Sequence, residues 1–191
     1  MQLVEPKPRL WRRDEYHRMA EAGIFNGQRV ELIEGEIVEM SPQGGPHFTA
    51  VALAEETLRR IFRQGYVVRA QGLLSLGELS EPEPDVAVVS GAIRDYKEAH
   101  PTTALLVVEI SDSTLTFDRG EKAGLYAKAS ILDYWIVNLI DRQVEVRRDP
   151  APMAGQSYGH SYKNITIFTP AEAVSPLAAP QTTVRVADLL P

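Results

Sequence analysis

Three charged residues near the middle of the chain stand where its hydropathy pattern has no use for them. Asp85 opens the apolar run Val86-Ala87-Val88-Val89. Glu109 breaks into Leu105-Leu106-Val107-Val108-Glu109-Ile110, and Lys122 follows in a segment that reads as a helix. A carboxylate inside a Val/Leu run is costly to bury unless something pairs with it. Two such carboxylates and a lysine, on neighbouring elements of one sheet, would make a site for a hard cation and a reacting phosphate. Singly, each has a plainer explanation. Asp85 after a proline can start a strand and bond nearby backbone, Glu109 can mark an exposed edge, and Lys122 can lie on a solvated helix face. Their combination and order carry the argument.

The elements that must position them follow from periodicity. Residues 12–22 read as a short helix closed by Gly23. Val30 to Met40 reads as a hairpin turning at Glu34-Gly35, its second arm alternating acidic and apolar residues. Residues 47–63 carry the strongest helix pattern, with Phe48, Val51, Leu58, Ile61 and Phe62 on one stripe and Gly65 beyond its end. Strands are expected at 66–70 and 72–76, from Asp85 onward, and at 103–110, the last apolar on both faces as a central strand should be. Residues 91–102 read as a loop with one helical turn. Asp118 to Ala129 reads as a helix. Residues 132–139 and 142–148 form a hairpin around Ile140-Asp141, 150–161 a loop tolerant of cutting or insertion, and 164–168 and 182–187 two further strands. Residues 170–181 resemble a disordered tail in composition, but the apolar residues of 183–190 argue that the chain returns to the sheet. The pattern specifies a mixed α/β (α+β) domain over 12–191, with helices flanking one central sheet and a Pro-rich arm at 1–11.

Composition limits the function classes. The 191 residues suffice for a substantial core, and 20 basic against 26 acidic residues give a net charge of −6. That is not the basic footprint usual for nucleic-acid binding, although a local basic groove can sit on an acidic protein. There are no cysteines, so thiolate metal sites and disulfides are excluded. No apolar stretch approaches the roughly 18 residues that would span a bilayer, and Met1 to Pro8 lacks a signal-peptide core. A cytoplasmic protein without membrane contact is the expectation.

The order and spacing of several short motifs resemble the Uma2 family of restriction-endonuclease-like proteins, a branch of the PD-(D/E)xK nuclease superfamily. The anchors are Glu31-Leu32-Ile33-Glu34-Gly35-Glu36, Met40-Ser41-Pro42 with His47 beyond, Pro84-Asp85-Val86-Ala87-Val88, and Leu106 to Thr114. Asp118-Arg119 with Lys122 and Tyr126, then Asp133-Tyr134-Trp135-Ile136-Val137, complete them. The resemblance runs from about Tyr16 to the C-terminus. It implies a restriction-endonuclease-like core and a Mg²⁺- or Mn²⁺-dependent endonuclease hydrolysing DNA phosphodiesters. The superfamily's common pattern places the lysine two residues after the second acid. Here that residue is Ser111, and Lys122 is the matching lysine on the following helix.

The resemblance implies roles. Asp85, Glu109 and the Ile110 backbone carbonyl are the metal ligands. Lys122 orients or deprotonates the attacking water, or stabilises phosphate charge. Glu31 is the candidate further catalytic acid, with Glu34 second. A homodimer is expected by analogy with enzymes that cut both strands. Alternatives remain: a nuclease-fold binding or assembly module with weak or no catalysis, or an enzyme acting on RNA or nucleotides.

Other residues carry two readings. His47 is a phosphate contact or a capping residue. Gln71 faces the site or lies on the surface, the latter favoured. Tyr126, Tyr134 and Trp135 read as packing residues, and Ser111, Ser113 and Thr114 as a loop start. Arg12-Arg13 and the Arg59-Arg60-Arg63 cluster are solvated faces unless a phosphate backbone meets them.

Overall fold

Valine-rich strands set the centre of the molecule. A computed structural model describes residues 6–191; the first five residues of the Pro-rich arm lie outside the described residues. Strands β3 (Tyr66–Ala70), β4 (Val86–Ser90), β5 (Leu106–Ser111), β6 (Asp133–Asn138), β7 (Gln143–Pro152) and β8 (His160–Phe168) form one six-stranded sheet in that order. β5 and β6 run parallel and the other neighbours antiparallel. A parallel pair needs a long crossover, and a helical segment supplies it: α3 (Leu115–Phe117), a π-turn over Asp118–Lys122, and α4 (Ala123–Lys128).

Residue parity decides which face each side chain meets. Val86, Val88, Leu106, Val108, Ile110, Trp135 and Val137 pack on one face under α2 (Gly45–Ile61). Ala87, Val89, Val107, Tyr134 and Ile136 pack on the other, under α4. The β4–β5 register pairs Val86 with Val108. One further step brings Asp85 opposite Glu109, on the α4 side.

A separate hairpin, β1 (Val30–Ile33) and β2 (Glu36–Glu39), turns at Glu34 and Gly35, whose φ angles of 49° and 85° are those of a two-residue hairpin turn. Glu81 donates its amide to the Leu32 carbonyl at 2.7 Å, which holds β1 beside the polar loop leading into β4. The first helix, α1 (Arg13–Glu21), packs Tyr16 beneath this hairpin, and its hydroxyl donates to the Val30 carbonyl.

Several expected elements differ. Residues 72–76 form no strand: Gln71 takes φ 49°, and the amides of Leu74, Ser75 and Leu76 donate to Pro82, Pro101 and Ser80 rather than to one ladder. The alternation there reflects Leu74 and Leu76 tucked under neighbouring segments. Phe48 leaves the apolar stripe of α2 and is 66% exposed: in the first turn it is His47 that faces inward, toward Asp85. The helical crossover begins at Leu115, three residues before Asp118. The supposed 150–161 loop is shorter than expected: pairing runs to Pro152 opposite His160, and only 153–159 connect the two strands. The stretch resembling a tail is ordered: β9 (Ala173–Val174) pairs with β10 (Val184–Arg185), apart from the main sheet. Val174, Val184, Val186 and Leu189 pack into the core beneath α2.

Candidate functional site

Glu31, Asp85, Glu109 and Lys122 come from β1, the start of β4, β5 and the π-turn, and they line one cleft of about 40 Å³. That is room for an ion and a water rather than a drug-sized molecule. Lys122, 1% exposed, donates from Nζ to Glu31 Oε2 at 2.6 Å and to Glu109 Oε1 at 3.2 Å. Tyr126, one turn on, donates its hydroxyl to the same Glu109 Oε1 at 2.6 Å. The Asp85 amide donates to Glu109 Oε2 at 3.1 Å, and the Ile110 amide to Asp85 Oδ2 at 2.8 Å. Each acid is thus tied to the other's strand. His47 Nε2 lies 3.2 Å from Asp85 Oδ2, and Gln43 Nε2 donates to Asp85 Oδ1 at 3.4 Å.

Ser111 explains how the lysine can come from a helix. Two residues after Glu109, on the same face of β5, its hydroxyl donates to Asp118 Oδ2 at 2.6 Å, and Thr114 donates to the same oxygen. Tyr134 donates its hydroxyl to the Asp118 carbonyl at 2.9 Å. Arg119 clasps Glu145 of β7 through Nε at 3.0 Å. These contacts fix the π-turn, a helical irregularity that often marks functional positions. Asp118 and Lys122 fall four residues apart on its inner side, and both are buried.

Burial pushes the Glu109 carboxyl up; Lys122 opposes the shift, and Asp85 adds to it. Burial acts against the Lys122 ammonium, but Glu109 and Glu31 outweigh it and raise its pKa. Burial also raises Asp118 despite its two hydroxyl donors. For His47, burial works against the proton, while Asp85 bonds it and raises the pKa overall.

The donor set fits a hard divalent cation. Six carboxyl side chains line the cleft (Glu31, Glu83, Asp85, Glu109, Asp112, Asp118) against the cations Arg29 and Lys122, and Arg29 is engaged with Glu83. Asp85 Oδ1 and Glu109 Oε2 each accept a single bond, which leaves each a lone pair. Glu31 Oε1 is buried with no partner. No three His, Asp or Glu side chains among the described residues form a ready-made cage. Mg²⁺ usually keeps several waters and takes one or two carboxylates.

The other sequence candidates separate. Glu34 pairs with Lys128 and Ser80, away from the cleft. Gln71 donates to Gln43 at 2.8 Å and so stands one residue behind Asp85. Arg59 and Arg60 pair with Glu55 and Glu56 on the exposed face of α2. Tyr134 and Trp135 are core. Sequence reasoning missed Gln43, which sits in a Pro/Gly loop without periodicity. It also read Asp118 only as a helix start, although its place beside Lys122 in the motif was a signal.

The family model Uma2, described as "Putative restriction endonuclease", matches residues 13–187. The chain belongs to the Uma2 family. A crystal structure of an Anabaena variabilis protein, described as a "putative nuclease belonging to DUF820", superposes with a TM-score of 0.69 at 15% identity. The match covers 95% of this Uma2 chain and 97% of the other. At that identity the likeness is one of fold: a restriction-endonuclease-like core with a mixed central sheet flanked by helices. A search of the curated proteins found no match. No helix among the described residues is long and apolar enough to cross a membrane.

Proposed function

We propose that this chain is a Mg²⁺- or Mn²⁺-dependent deoxyribonuclease that hydrolyses DNA phosphodiesters at the Asp85–Glu109–Lys122 cleft. One observation carries the reading: a buried lysine and two strand-borne acids, far apart in sequence, meet in a cleft whose lining is too acidic to receive a phosphate without a cation. Nuclease families of this fold generally use divalent metals, and the family and neighbour descriptions support nucleic acid as the substrate class.

Asp85 and Glu109 would hold the ion, with the Ile110 carbonyl as a further oxygen ligand. Bound there, it would offset phosphate charge and lower the pKa of a coordinated water. The Ile110 amide keeps Asp85 aimed at the cleft, and Tyr126 does the same for Glu109. Lys122 keeps its proton, so it acts as a charged donor that orients water or phosphate rather than as a base. Glu31 anchors Lys122 through one oxygen and leaves Oε1 to accept a bond from a water.

The test is cleavage of supercoiled plasmid and single-stranded DNA with Mg²⁺, Mn²⁺ or EDTA. Wild type would be run beside Asp85→Asn and Lys122→Ala, each checked for folding by circular dichroism. Metal-dependent cutting that falls by about 10²-fold or more in both variants is expected. Folded wild type that cuts neither substrate would sink the reading and favour the binding or assembly module; cleavage of RNA alone would move the substrate class.

A further inference from the structure

The two oxygens of Asp85 are held unequally. Oδ2 accepts the Ile110 amide and lies beside His47. Oδ1, the oxygen left open to an ion, accepts a single long bond from Gln43 Nε2 at 3.4 Å. Gln43 lies between Pro42 and Gly44, outside any helix or strand. The two ends of its amide differ in chemistry but hardly in shape. Turned over, Gln43 would set a carbonyl against the carboxylate, or offer it to the cation as a competing ligand. Gln71 backs the other orientation: its Nε2 donates to Gln43 Oε1 at 2.8 Å, and the Gln43 N–H then faces Asp85. Gln71 also grips the far end of the same aspartate. Its backbone amide donates to the Asp85 carbonyl at 3.0 Å, carrying the β3–β4 ladder one residue past Ala70 and Val86. Three hydrogen bonds thus close a ring through Asp85, Gln71 and Gln43. Gln71 completes it from a left-handed backbone with φ 49°, which strains a residue bearing a Cβ and which glycine adopts freely. Strain of this kind persists where the surroundings hold it in place.

We propose that Gln71 is a positioning residue for the metal site: acting through Gln43, it keeps an N–H on Asp85 Oδ1 and holds that carboxylate in the orientation in which it ligates the cation. The inference rests on the nuclease reading and adds to it a residue that touches neither ion nor substrate. Hydrogen bonds in a chain polarise one another, so Gln43 is the better donor with Gln71 on its carbonyl. Outer partners of metal-ligating side chains typically cost ten- to a hundredfold in metal affinity when removed. Both glutamines also line a groove of about 420 Å³, together with Glu39. Water therefore reaches them, and an unsupported Gln43 would exchange its carboxylate bond for solvent. The closed ring opposes that exchange.

A ring of this kind predicts how its members couple. Mn²⁺ binding would be followed by electron paramagnetic resonance of the free ion in wild type, Gln71→Met, Gln71→Gly, Gln43→Ala and the Gln43→Ala/Gln71→Met double variant. Asp85→Asn is the control that marks the site. Gln71→Met keeps the side-chain length and removes the amide, while Gln71→Gly also relieves the backbone strain. Both Gln71 variants and Gln43→Ala should bind Mn²⁺ about tenfold more weakly. The double variant should bind no more weakly than Gln43→Ala, since Gln71 works through Gln43. Gln71→Gly should lose affinity while its melting temperature without metal does not fall, which separates positioning from a loss of fold. Excess Mn²⁺ should restore plasmid cutting in Gln71→Met. Wild-type affinity in both Gln71 variants, or losses that add in the double variant, would overturn the positioning role and leave the nuclease reading standing. Mn²⁺ bound equally by Asp85→Asn and wild type, or bound by neither, would overturn both.

Discussion

Glu109 is pulled in opposite directions by its neighbours. Burial and Asp85 favour the protonated acid, while Lys122 and Tyr126 bond the carboxylate, and the net shift is upward. A carboxyl whose folded pKa lies above its unfolded value costs stability at pH values above the unfolded one, near 4.3, and the cost grows as pH climbs through the folded value. A divalent ion that binds the ionised form removes that cost and must expel the proton first. Mg²⁺ or Mn²⁺ should therefore raise the melting temperature more at pH 8 than at pH 6, and binding near neutrality should release protons, measurable by calorimetry in buffers of different ionisation enthalpy. A metal effect that is equal at both pH values would place the ion elsewhere. Asp85, Glu109 and Lys122 were legible because each interrupts or follows an apolar run that had no other use for it. Gln43 was not, because an amide in an irregular loop leaves no periodic trace, and its role appears only when β4 is folded against α2.

The π-turn is the element on which the site depends most. It carries Lys122 inward and is held by Ser111 and Thr114 on Asp118, by Arg119 on Glu145, and by packing against the β7–β8 turn. There, on α4 just past the π-turn, a Cβ on Gly124 would collide with the Ser157 carbonyl oxygen. Ser111→Ala leaves buried Asp118 with one hydroxyl donor fewer and should lower unfolding free energy by about 1–3 kcal/mol. Ser113→Ala, which loses an exposed bond to Asp112, should change it by less than about 0.5 kcal/mol. Urea titration distinguishes them, and equal effects would mean that Ser111 is not the anchor. The helix itself was readable from 118–129, but the π-turn was not. A single widened turn changes the hydrophobic period too little to register over so short a segment. The 72–76 strand failed for the opposite reason: buried Leu74 and Leu76 mimic strand alternation in a segment whose amides are bonded elsewhere.

At the scale of the molecule, two cores lie on opposite faces of one sheet, and the C-terminal segment completes the one beneath α2. Leu189 is fully buried there, although residues around 170–181 have the Pro- and Ala-rich composition of a tail. Leu189→Ala should cost about 2–5 kcal/mol by opening a cavity, with a matching fall in the urea midpoint; a change near zero would show that the segment packs only loosely. The fold class was legible because the β-runs and the crossover helix alternate clearly. The C-terminal pairing was not, since two-residue strands carry almost no pattern, and it took the apolar spacing of Val184, Val186 and Leu189 to show that the chain turns inward.

The burial of Lys122 has a consequence for its reactivity. An amine attacks acyl groups only when it is unprotonated and within reach of the reagent, and this one is held charged behind Glu31, Glu109 and Tyr126. Acetylating enzymes and amine-reactive probes would modify surface lysines such as Lys97 and Lys163 and pass over the one residue whose acylation would matter most to the site.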